Sequence, residues 1–324
     1  MHIMKNCKIG SIEIKNNICL APMAGLTDIA FRVLSKKQGV GLVWTEMVSV
    51  NAINQNNGVT MRMTEIDPEE RPVAIQLFGQ QIEQIERAVK KIEDRADIID
   101  FNMGCPATHI IRAGSCSALL GRPEKVKKII ETIRKSTKKP ITVKIRIGLN
   151  DRKKNHIHIA KIIEQAGADA IIVHGRTVAQ KYSGIVNYKA IKEVKDAVSI
   201  PVIGNGDIVD GASAKKMFDE TGCDAIMVGR AAAKDPFIFK RIIHYLKTGK
   251  ELPEPTDKEK INHFFEYAKL CEKYTIRVGH LIAHAHLFTK GIRKSTILRE
   301  QINTVKTRDE VIALIKSFKK KLKN

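Results

Sequence analysis

A cysteine in a polar loop is the first candidate for chemistry in this sequence. Cys105 lies in the segment Asn102-Met103-Gly104-Cys105-Pro106, where glycine and proline favour an open turn and polar groups converge. Four other cysteines lie in apolar or surface segments, where a cysteine usually acts as a small hydrophobic residue: Cys7, Cys19, Cys223 and Cys271. Cys105 is therefore the candidate reactive thiol.

Charged and polar side chains alternate with apolar ones on the strand that contains Lys144. Thr142, Lys144 and Arg146 share one face, and isoleucines and a valine occupy the other. Gln76, and the pair Asp100 and Asn102, repeat this arrangement on two other segments. In a barrel the polar faces point inward, where an unpaired lysine or arginine is destabilising, so we expect a ligand or counter-charge there.

Two glycine loops could hold a phosphate. Gly204-Asn205-Gly206-Asp207 and Gly229-Arg230-Ala231-Ala232 each follow an apolar segment and precede a helical one. Glycines let backbone amides approach an anion, and Arg230 could neutralise it. His174 ends another apolar segment, and the small-residue turn Ala21-Pro22-Met23-Ala24-Gly25 could lie flat against an extended ring. These features predict a phosphate-bearing cofactor.

The elements that must position these residues alternate between short apolar segments and longer helical ones. Eight strands are predicted, at residues 18–23, 41–47, 72–78, 97–103, 140–147, 168–174, 201–205 and 223–228. Their number and the length of the region are typical of an α/β protein with a (β/α)8 TIM barrel, which places chemistry at the strand carboxyl ends. A doubly wound sheet is the alternative architecture.

The chain beyond the barrel has a different pattern. Residues 251–255, with two prolines, predict a linker. Thr256 with Glu259, and Thr307 with Glu310, fit capping boxes that begin helices. We therefore expect a barrel domain over residues 1–250 and a small helical bundle over 251–324, whose basic last stretch, residues 316–323, could meet phosphates.

Composition narrows the class of partner. The 324 residues carry 56 Lys and Arg against 35 Asp and Glu, a net charge of +21 that favours polyanions such as nucleic acid, although a general lysine bias would give the same count. The six cysteines form no CxxC pair and the histidines lack ligand partners at metal spacing, so no metal is expected. The absence of a leader or membrane-length segment predicts a soluble, cytoplasmic protein.

Eight motifs, in order along the barrel region, resemble the tRNA-dihydrouridine synthase family. They are LAPMAGLTD at 20–28, TEM at 45–47, QLFG at 76–79, DFNMGCP at 100–106, VKIRIG at 143–148, VHGRT at 173–177, GNGDI at 204–208 and VGR at 228–230. Each motif alone is unspecific, whereas the ordered set is specific. A fainter similarity continues into the bundle.

The resemblance implies FMN as bound cofactor, NADPH or NADH as transient reductant, and tRNA as the substrate of a monomeric enzyme. The cofactor residues it implies are Pro22, Met23, Ala24, Gln76, Lys144, His174, Asn205, Gly206, Asp207, Gly229 and Arg230. Hydride from the flavin would add at C6 of uracil and Cys105 would protonate C5, a task open to a thiol that is protonated at neutral pH. Lys144 would stabilise negative charge on the reduced flavin, and Asn102 and Arg146 would lie near the base.

Three positions depart from the family pattern. Thr108 and His109 stand where many relatives have two lysines, Cys116 where they have a small residue, and Ile282-Ala283-His284 where Arg-Lys-His is common in bacterial relatives. The loss of positive charge at these positions affects the expected contacts to RNA, so the sequence does not predict which uridine is modified. The flavin residues are unaffected.

Two other functions fit parts of the sequence. An FMN-dependent reductase or dehydrogenase of free pyrimidines, similar to dihydroorotate dehydrogenase, would explain the barrel but not the basic helical extension. An RNA-binding protein on a barrel without chemistry would explain the charge but not Cys105, Lys144 and the phosphate loops.

Overall fold

Eight parallel strands form the barrel in the computed structural model, which describes residues 5–322. The strands of the chain are β1 (Cys7–Ile9), β2 (Ile12–Ile14), β3 (Ile18–Leu20), β4 (Val43–Trp44), β5 (Val48–Ser49), β6 (Val73–Phe78), β7 (Ile98–Met103), β8 (Ile141–Arg146), β9 (Ala170–His174), β10 (Val202–Asn205) and β11 (Ala225–Val228). The barrel order is β3-β11-β10-β9-β8-β7-β6-β4. A bridge between Cys19 and Leu42, with Leu20 N donating to Leu42 O at 3.0 Å, joins the two ends of this order. The predicted (β/α)8 architecture is confirmed, and the doubly wound alternative is wrong.

Two predicted strands are much shorter than the sequence indicated, whereas the other six lose only one or two residues at their ends. The segment predicted over 18–23 ends at Leu20, because the chain turns at Met23, whose carbonyl accepts from the backbone N–H groups of Leu26 and Thr27. The segment predicted over 41–47 contributes only Val43–Trp44, and Val48–Ser49 then pairs with the end of β6. Apolar residues continue past both strand ends, so composition alone extends the prediction too far.

An antiparallel hairpin, β1 and β2, precedes the barrel and was not predicted. Cys7, Ile9 and Ile14 are buried with the apolar half of the barrel interior, which includes Trp44 and Ile172. The hairpin therefore covers the barrel end opposite the strand carboxyl ends. Three-residue strands carry too little periodicity to be found from sequence.

Helices surround the barrel and continue after it. They are α1 (Ile29–Lys37), α2 (Val50–Asn54), α3 (Gly58–Arg62), α4 (Ile82–Ile92), α5 (Thr108–Arg112), α6 (Pro123–Ser136), α7 (His156–Gln165), α8 (Tyr188–Ala197), α9 (Gly211–Thr221), α10 (Arg230–Lys234), α11 (Ile238–Thr248), α12 (Asp257–Lys273), α13 (Val278–Phe288), α14 (Ser295–Ile302) and α15 (Arg308–Lys321), with 3₁₀ helices at Pro68–Glu70 and Cys116–Gly121. The barrel helices bury apolar stripes on the outside of the sheet; in α4 the stripe is Ile85, Ala88, Val89 and Ile92. None of the helices within residues 5–322 is long and apolar enough to cross a membrane.

The last four helices form the bundle that the sequence predicted. Residues 251–256 have no regular structure, and the capping boxes of Thr256 with Glu259 and Thr307 with Glu310 begin α12 and α15. Helix α12 packs against α1, and α13 packs against α10. The basic end of α15 is described as far as Leu322, and Lys323 lies outside the described residues.

Candidate active site

A pocket of about 460 Å³ opens at the carboxyl ends of the barrel strands. Its volume is within the range of small-molecule and cofactor sites. Every site residue predicted from the sequence lines it: Pro22, Met23, Ala24, Gln76, Asn102, Cys105, Lys144, Arg146, His174, Asn205, Gly206, Asp207, Gly229 and Arg230. The barrel therefore brings the predicted set together, while the role of each residue remains a prediction.

A buried network of polar side chains forms the floor of this pocket. Gln76 Nε2 and Thr142 Oγ1 both donate to the carboxylate of Asp100, and Asn102 Nδ2 donates to Gln76 Oε1 at 2.7 Å. Asp100 is completely buried, and burial raises the pKa of its carboxyl to about 6 despite these hydrogen bonds. The network fixes the orientation of the Gln76 and Asn102 amides towards the pocket.

The loop that carries Cys105 is held from three sides. Asn102 Oδ1 accepts hydrogen bonds from the backbone N–H groups of Gly104 and Cys105, each at 2.9 Å. Arg146 Nε donates to Gly104 O at 2.9 Å, and Ser117 Oγ donates to Cys105 O at 2.7 Å. The half-buried Cys105 side chain thus has a fixed position at the edge of the pocket.

The protein makes the Cys105 thiol more acidic than an ordinary cysteine. The interaction with the Cys116 thiol is the largest cause, and it lowers the pKa of Cys105 to about 6 even though burial acts in the opposite direction. The backbone of Ala107 and the charges of Arg146 and His109 act in the same direction as Cys116. The sequence alone predicts an ordinary thiol, because the neighbours that shift this pKa come together only in the folded chain.

Lys144 and His174 differ in their protonation within the pocket: Lys144 changes charge near neutral pH, and the His174 ring is neutral. Lys144 Nζ donates to Asn205 Oδ1 at 2.9 Å, and burial, followed by repulsion from Arg146, lowers the pKa of Lys144 to about 7. Burial, followed by the charge of Lys144, lowers the pKa of His174 to about 2, so its imidazole is neutral. The buried Nδ1 of His174 has no protein partner among the described residues.

The hydrogen-bond partners of Arg146 differ from the sequence prediction, which expected a ligand or counter-charge beside it. Its guanidinium donates to three backbone carbonyls, those of Gly104, Thr177 and Lys181, at 2.8 to 2.9 Å. It therefore ties the loop after β7 to the loop after β9 and needs neither a ligand nor an acidic partner to compensate its burial. Burial lowers the pKa of Arg146 to about 10, so the side chain stays charged at neutral pH.

The predicted phosphate loops follow β10 and β11 as expected. Gly206 has φ of +128°, a conformation that favours glycine. The carboxylate of Asp207 accepts from Arg176 Nη1 at 2.9 Å and from Arg230 Nη2 at 3.0 Å. Arg230 thus pairs with Asp207 and also lines the pocket, and its side chain is about half exposed.

Two residues of the site were not found from the sequence. Arg176 is almost completely buried and fixes the loop after β10 through Asp207. Tyr182 lines the pocket with its ring 5.0 Å from the Arg230 guanidinium carbon and 5.7 Å from that of Arg146. Arg176 lies just after the predicted strand 168–174, so its position at a strand end could have identified it as a site residue. Tyr182 lies in a loop, where no hydrophobic periodicity indicates its position.

No group of three or more His, Cys, Asp or Glu side chains converges as metal ligands would within residues 5–322. The absence of a metal from the site remains a prediction.

The barrel, with a polar pocket and the Cys105 thiol at its strand carboxyl ends, has the architecture of a (β/α)8-barrel enzyme. Solved structures share this fold: histamine dehydrogenase from Rhizobium matches with a TM-score of 0.60 at 14% identity, over 83% of this chain and 51% of that one, so this chain spans about half its length. Morphinone reductase matches with a TM-score of 0.53 at 11% identity, over 79% of this chain and 93% of that one.

The family follows from sequence comparison. The model of the dihydrouridine synthase (Dus) family matches residues 19–323. A probable tRNA-dihydrouridine synthase of Rickettsia bellii is 40% identical over 91% of this chain and 92% of its own, and tRNA-dihydrouridine synthase B of Pseudomonas putida is 41% identical over 88% and 85%. This chain belongs to the dihydrouridine synthase family, and membership implies an oxidoreductase that uses a flavin.

Proposed function

We propose that this protein reduces the C5=C6 bond of uridine in tRNA to dihydrouridine, with FMN in the pocket and NADPH as reductant. The observation that carries the proposal is the pocket that joins the Cys105 loop, Lys144 and two glycine loops at the strand carboxyl ends. A tRNA substrate accords with a net charge of +21 and with relatives named as tRNA-dihydrouridine synthases. Such a substrate also favours a cytoplasmic location, and we propose that the enzyme acts as a monomer.

The residues present fit a flavin nucleotide. The buried, unpartnered Nδ1 of His174 and the cation of Lys144 suit the polar edge of an isoalloxazine ring, with Gln76 and Asn205 beside them. The start of the turn Ala21-Pro22-Met23-Ala24-Gly25 lies against Gly229, because a Cβ added at Gly229 would meet Ala21 Cβ at 3.4 Å and Met23 Sδ at 3.8 Å; Pro22, Met23 and Ala24 line the pocket beside it. The loops containing Gly206, Asp207, Gly229 and Arg230 would hold the phosphate, as the last two loops of barrel enzymes often do. A reduced flavin held by these residues would supply hydride to C6 of uracil.

Cys105 delivers the proton to C5 in this proposal. Its thiol lies at the pocket edge in a loop fixed by Asn102, Arg146 and Ser117. A fixed general acid contributes about 10²–10⁴-fold to rate, and a thiol whose pKa is lowered to about 6 must take up a proton from solvent before it acts at neutral pH. Asn102 and Arg146 are proposed to lie near the base, and Lys144 to stabilise negative charge within the site.

The helical region over 251–324 is proposed as the tRNA-binding domain beside the catalytic barrel of residues 1–250. The target uridine must leave the RNA stack to reach a pocket inside a barrel, and contacts to the RNA backbone offset that unfavourable step. Exposed lysines on α15, Lys316, Lys320 and Lys321, provide such contacts.

The test is a reconstituted assay. FMN-loaded protein, NADPH and unmodified tRNA transcript should yield dihydrouridine detected by mass spectrometry of the digested RNA. Cys105→Ala should lower the rate by about 10²-fold or more while FMN and tRNA affinities stay unchanged, because only the proton donor is removed.

A matched control is Cys7→Ala, which removes a cysteine at the opposite end of the barrel. Full activity of Cys105→Ala would contradict the proton-donor role. Faster turnover of free uracil or dihydroorotate than of tRNA would instead favour a free-pyrimidine enzyme.

A further inference from the structure

Four polar side chains form a row inside the barrel, and we call them the polar row. Gln76 on β6, Asp100 on β7 and Thr142 on β8 are paired neighbours on adjacent parallel strands. Asn102 lies two residues beyond Asp100 and therefore on the same inward face. Each of the four residues has an exposed fraction of 6% or less. A hydrogen bond lost within the row therefore leaves a buried polar group without a partner, which is destabilising.

The hydrogen bonds of the polar row run in one direction. The backbone N–H groups of Gly104 and Cys105 can only donate, so Oδ1 of Asn102 must face them, and both bonds are 2.9 Å. The nitrogen of Asn102 then donates to Gln76 Oε1 at 2.7 Å, and the nitrogen of Gln76 donates to Asp100 Oδ2 at 2.6 Å. The orientation of each amide is thus coupled to that of the next.

The far end of the polar row is a group that only accepts. Burial raises the pKa of Asp100 to about 6, so at pH 8 both of its carboxylate oxygens are acceptors. Thr142 Oγ1 donates to the oxygen that does not face Gln76. An acceptor at one end and backbone donors at the other permit a single orientation of the two amides between them.

We propose that Asp100 is a positioning residue: through the amide of Gln76, its carboxylate fixes which way the Asn102 side chain faces. Asn102 in this orientation holds the loop that carries Cys105. With both amides reversed, Asn102 would turn its nitrogen towards the backbone N–H groups, and the loop would lose two hydrogen bonds. This inference deepens the proposed function and rests on it only where Cys105 acts as proton donor.

Exchanging the two ends of the polar row tests the orientation without relying on activity. Asn102→Asp adds a second carboxylate, so the carbonyl of Gln76 must face one of the two, and Tm of the full-length protein at pH 8 should fall by about 2 °C or more. Adding Asp100→Asn supplies a donor to Gln76 Oε1, which makes the reversed direction consistent, so the double variant should regain most of the loss. Asp100→Asn alone should stay close to the parent, because its oxygen can face Gln76 and its nitrogen can face Thr142.

Repulsion between two carboxylates would also favour the double variant, and Gln76→Met separates this cause from the proposed one. If the amide of Gln76 transmits the orientation, the gain in Tm that Asp100→Asn brings to Asn102→Asp should mostly disappear with methionine at position 76. A gain of unchanged size in that background would overturn the inference. A double variant no more stable than Asn102→Asp would overturn it as well.

Hydrogen exchange reports on the Cys105 loop directly. The amides of Gly104 and Cys105 are followed by mass spectrometry of the peptide that contains them. Asp100→Leu, which cannot accept a hydrogen bond, should speed their exchange by about 10-fold, the effect of losing about one hydrogen bond. The matched control is Thr142→Val, which removes the other bond to Asp100 and leaves the bonds towards Cys105 in place, so exchange should stay at the parent rate.

Equal exchange in the Asp100→Leu and Thr142→Val variants would contradict the positioning role. The Tm comparison does not use Asp100→Leu, so a folding defect in that variant leaves the inference testable.

The consequence for the reaction is measured separately in the FMN-loaded enzyme. Asp100→Leu should lower kcat for tRNA by about 10-fold or more, because the proton donor is displaced, and Asp100→Asn should keep most of the parent rate. Faster loop exchange with full kcat would refute Cys105 as proton donor while supporting the orientation of the polar row. A parent protein that forms no dihydrouridine would refute the proposed function, and the Tm and exchange results would still decide the inference.

Discussion

At the scale of single residues, the charge of Lys144 depends on its surroundings. Burial and the nearby Arg146 lower its pKa to about 7, and its only hydrogen-bond partner among the described side chains is the neutral Asn205. Electronegative groups of a bound cofactor would favour the charged form and raise the pKa again. We therefore expect Lys144 to link cofactor binding to proton uptake.

The prediction for Lys144 concerns FMN binding at about pH 8. The parent should take up close to one proton for each FMN bound, because a lysine with its pKa lowered to about 7 is largely neutral before binding. Calorimetry in buffers of different ionisation enthalpy measures this uptake. Lys144→Met should abolish it and weaken FMN binding about 10-fold or more, the effect of losing one charged hydrogen bond.

Lys192→Met is the control for this experiment, since Lys192 is exposed on α8 and pairs with Asp196. Equal proton uptake by the Lys144 variant and the parent would show that another group titrates.

At the scale of elements, one buried carboxylate joins the barrel to the bundle. Asp28 caps α1 through Phe31 N at 2.9 Å, and its other oxygen accepts from Tyr267 of α12 at 2.7 Å and contacts His280 Nδ1 of α13 at 3.0 Å. His284 of α13 contacts Leu26 O at 2.9 Å beside the pocket turn. Three helices and the first barrel loop therefore share one polar centre.

Stability at this junction should depend on pH. The hydrogen bond to Asp28 raises the pKa of His280, whereas the nearby Arg277 opposes the shift and Glu46 assists it. A raised histidine pKa stabilises the folded state fully below about pH 6.5, and this contribution is lost as pH rises through the folded-state value. Burial raises the pKa of Asp28, but its hydrogen bonds outweigh burial and lower it, so its own contribution disappears only in acid.

The expected result is that His280→Gln flattens the dependence of Tm on pH above about 6.5, as measured by circular dichroism during heating. His158→Gln, an exposed change on α7, should leave the parent profile intact. Identical profiles for parent and His280→Gln would exclude this histidine as the source.

At the scale of the whole molecule, we expect the net positive charge and the pocket to act together on a large anionic substrate. The pocket opens at one end of the barrel, and α13 of the bundle packs against α10, which directly follows the Gly229 loop. The bundle adds exposed lysines at the end of α15. A long polyanion could thus contact the bundle while one of its bases enters the pocket.

Replacing Lys316, Lys320 and Lys321 together by alanine should weaken tRNA binding and reduce its salt dependence. Each phosphate interaction that the substitutions remove should lower the slope of log K against log salt by about 0.7 to 0.9. Filter binding at several salt concentrations measures both effects. The matched triple is Lys127, Lys128 and Lys135 on α6, and an equal effect of both triples would refute a dedicated surface on α15.

The sequence by itself determined the barrel and most of the pocket lining. Alternation on β8 put Lys144 and Arg146 on the inner face, and strand ends followed by glycine located Gly206 and Gly229, because both signals depend only on neighbours along the chain. It did not reveal the N-terminal hairpin or the early end of the first barrel strand, where local composition is uninformative.

Only the tertiary structure decided which partners meet across the barrel mouth. Ser117 donates to Cys105 O from another loop, Arg176 holds Asp207, and Tyr267 donates to Asp28 across 239 positions of the chain. Such contacts are set by how closed strands bring their loops together and by how the bundle docks. Proton affinities and hydrogen bonds at the site therefore follow from packing, which no local pattern in the sequence encodes.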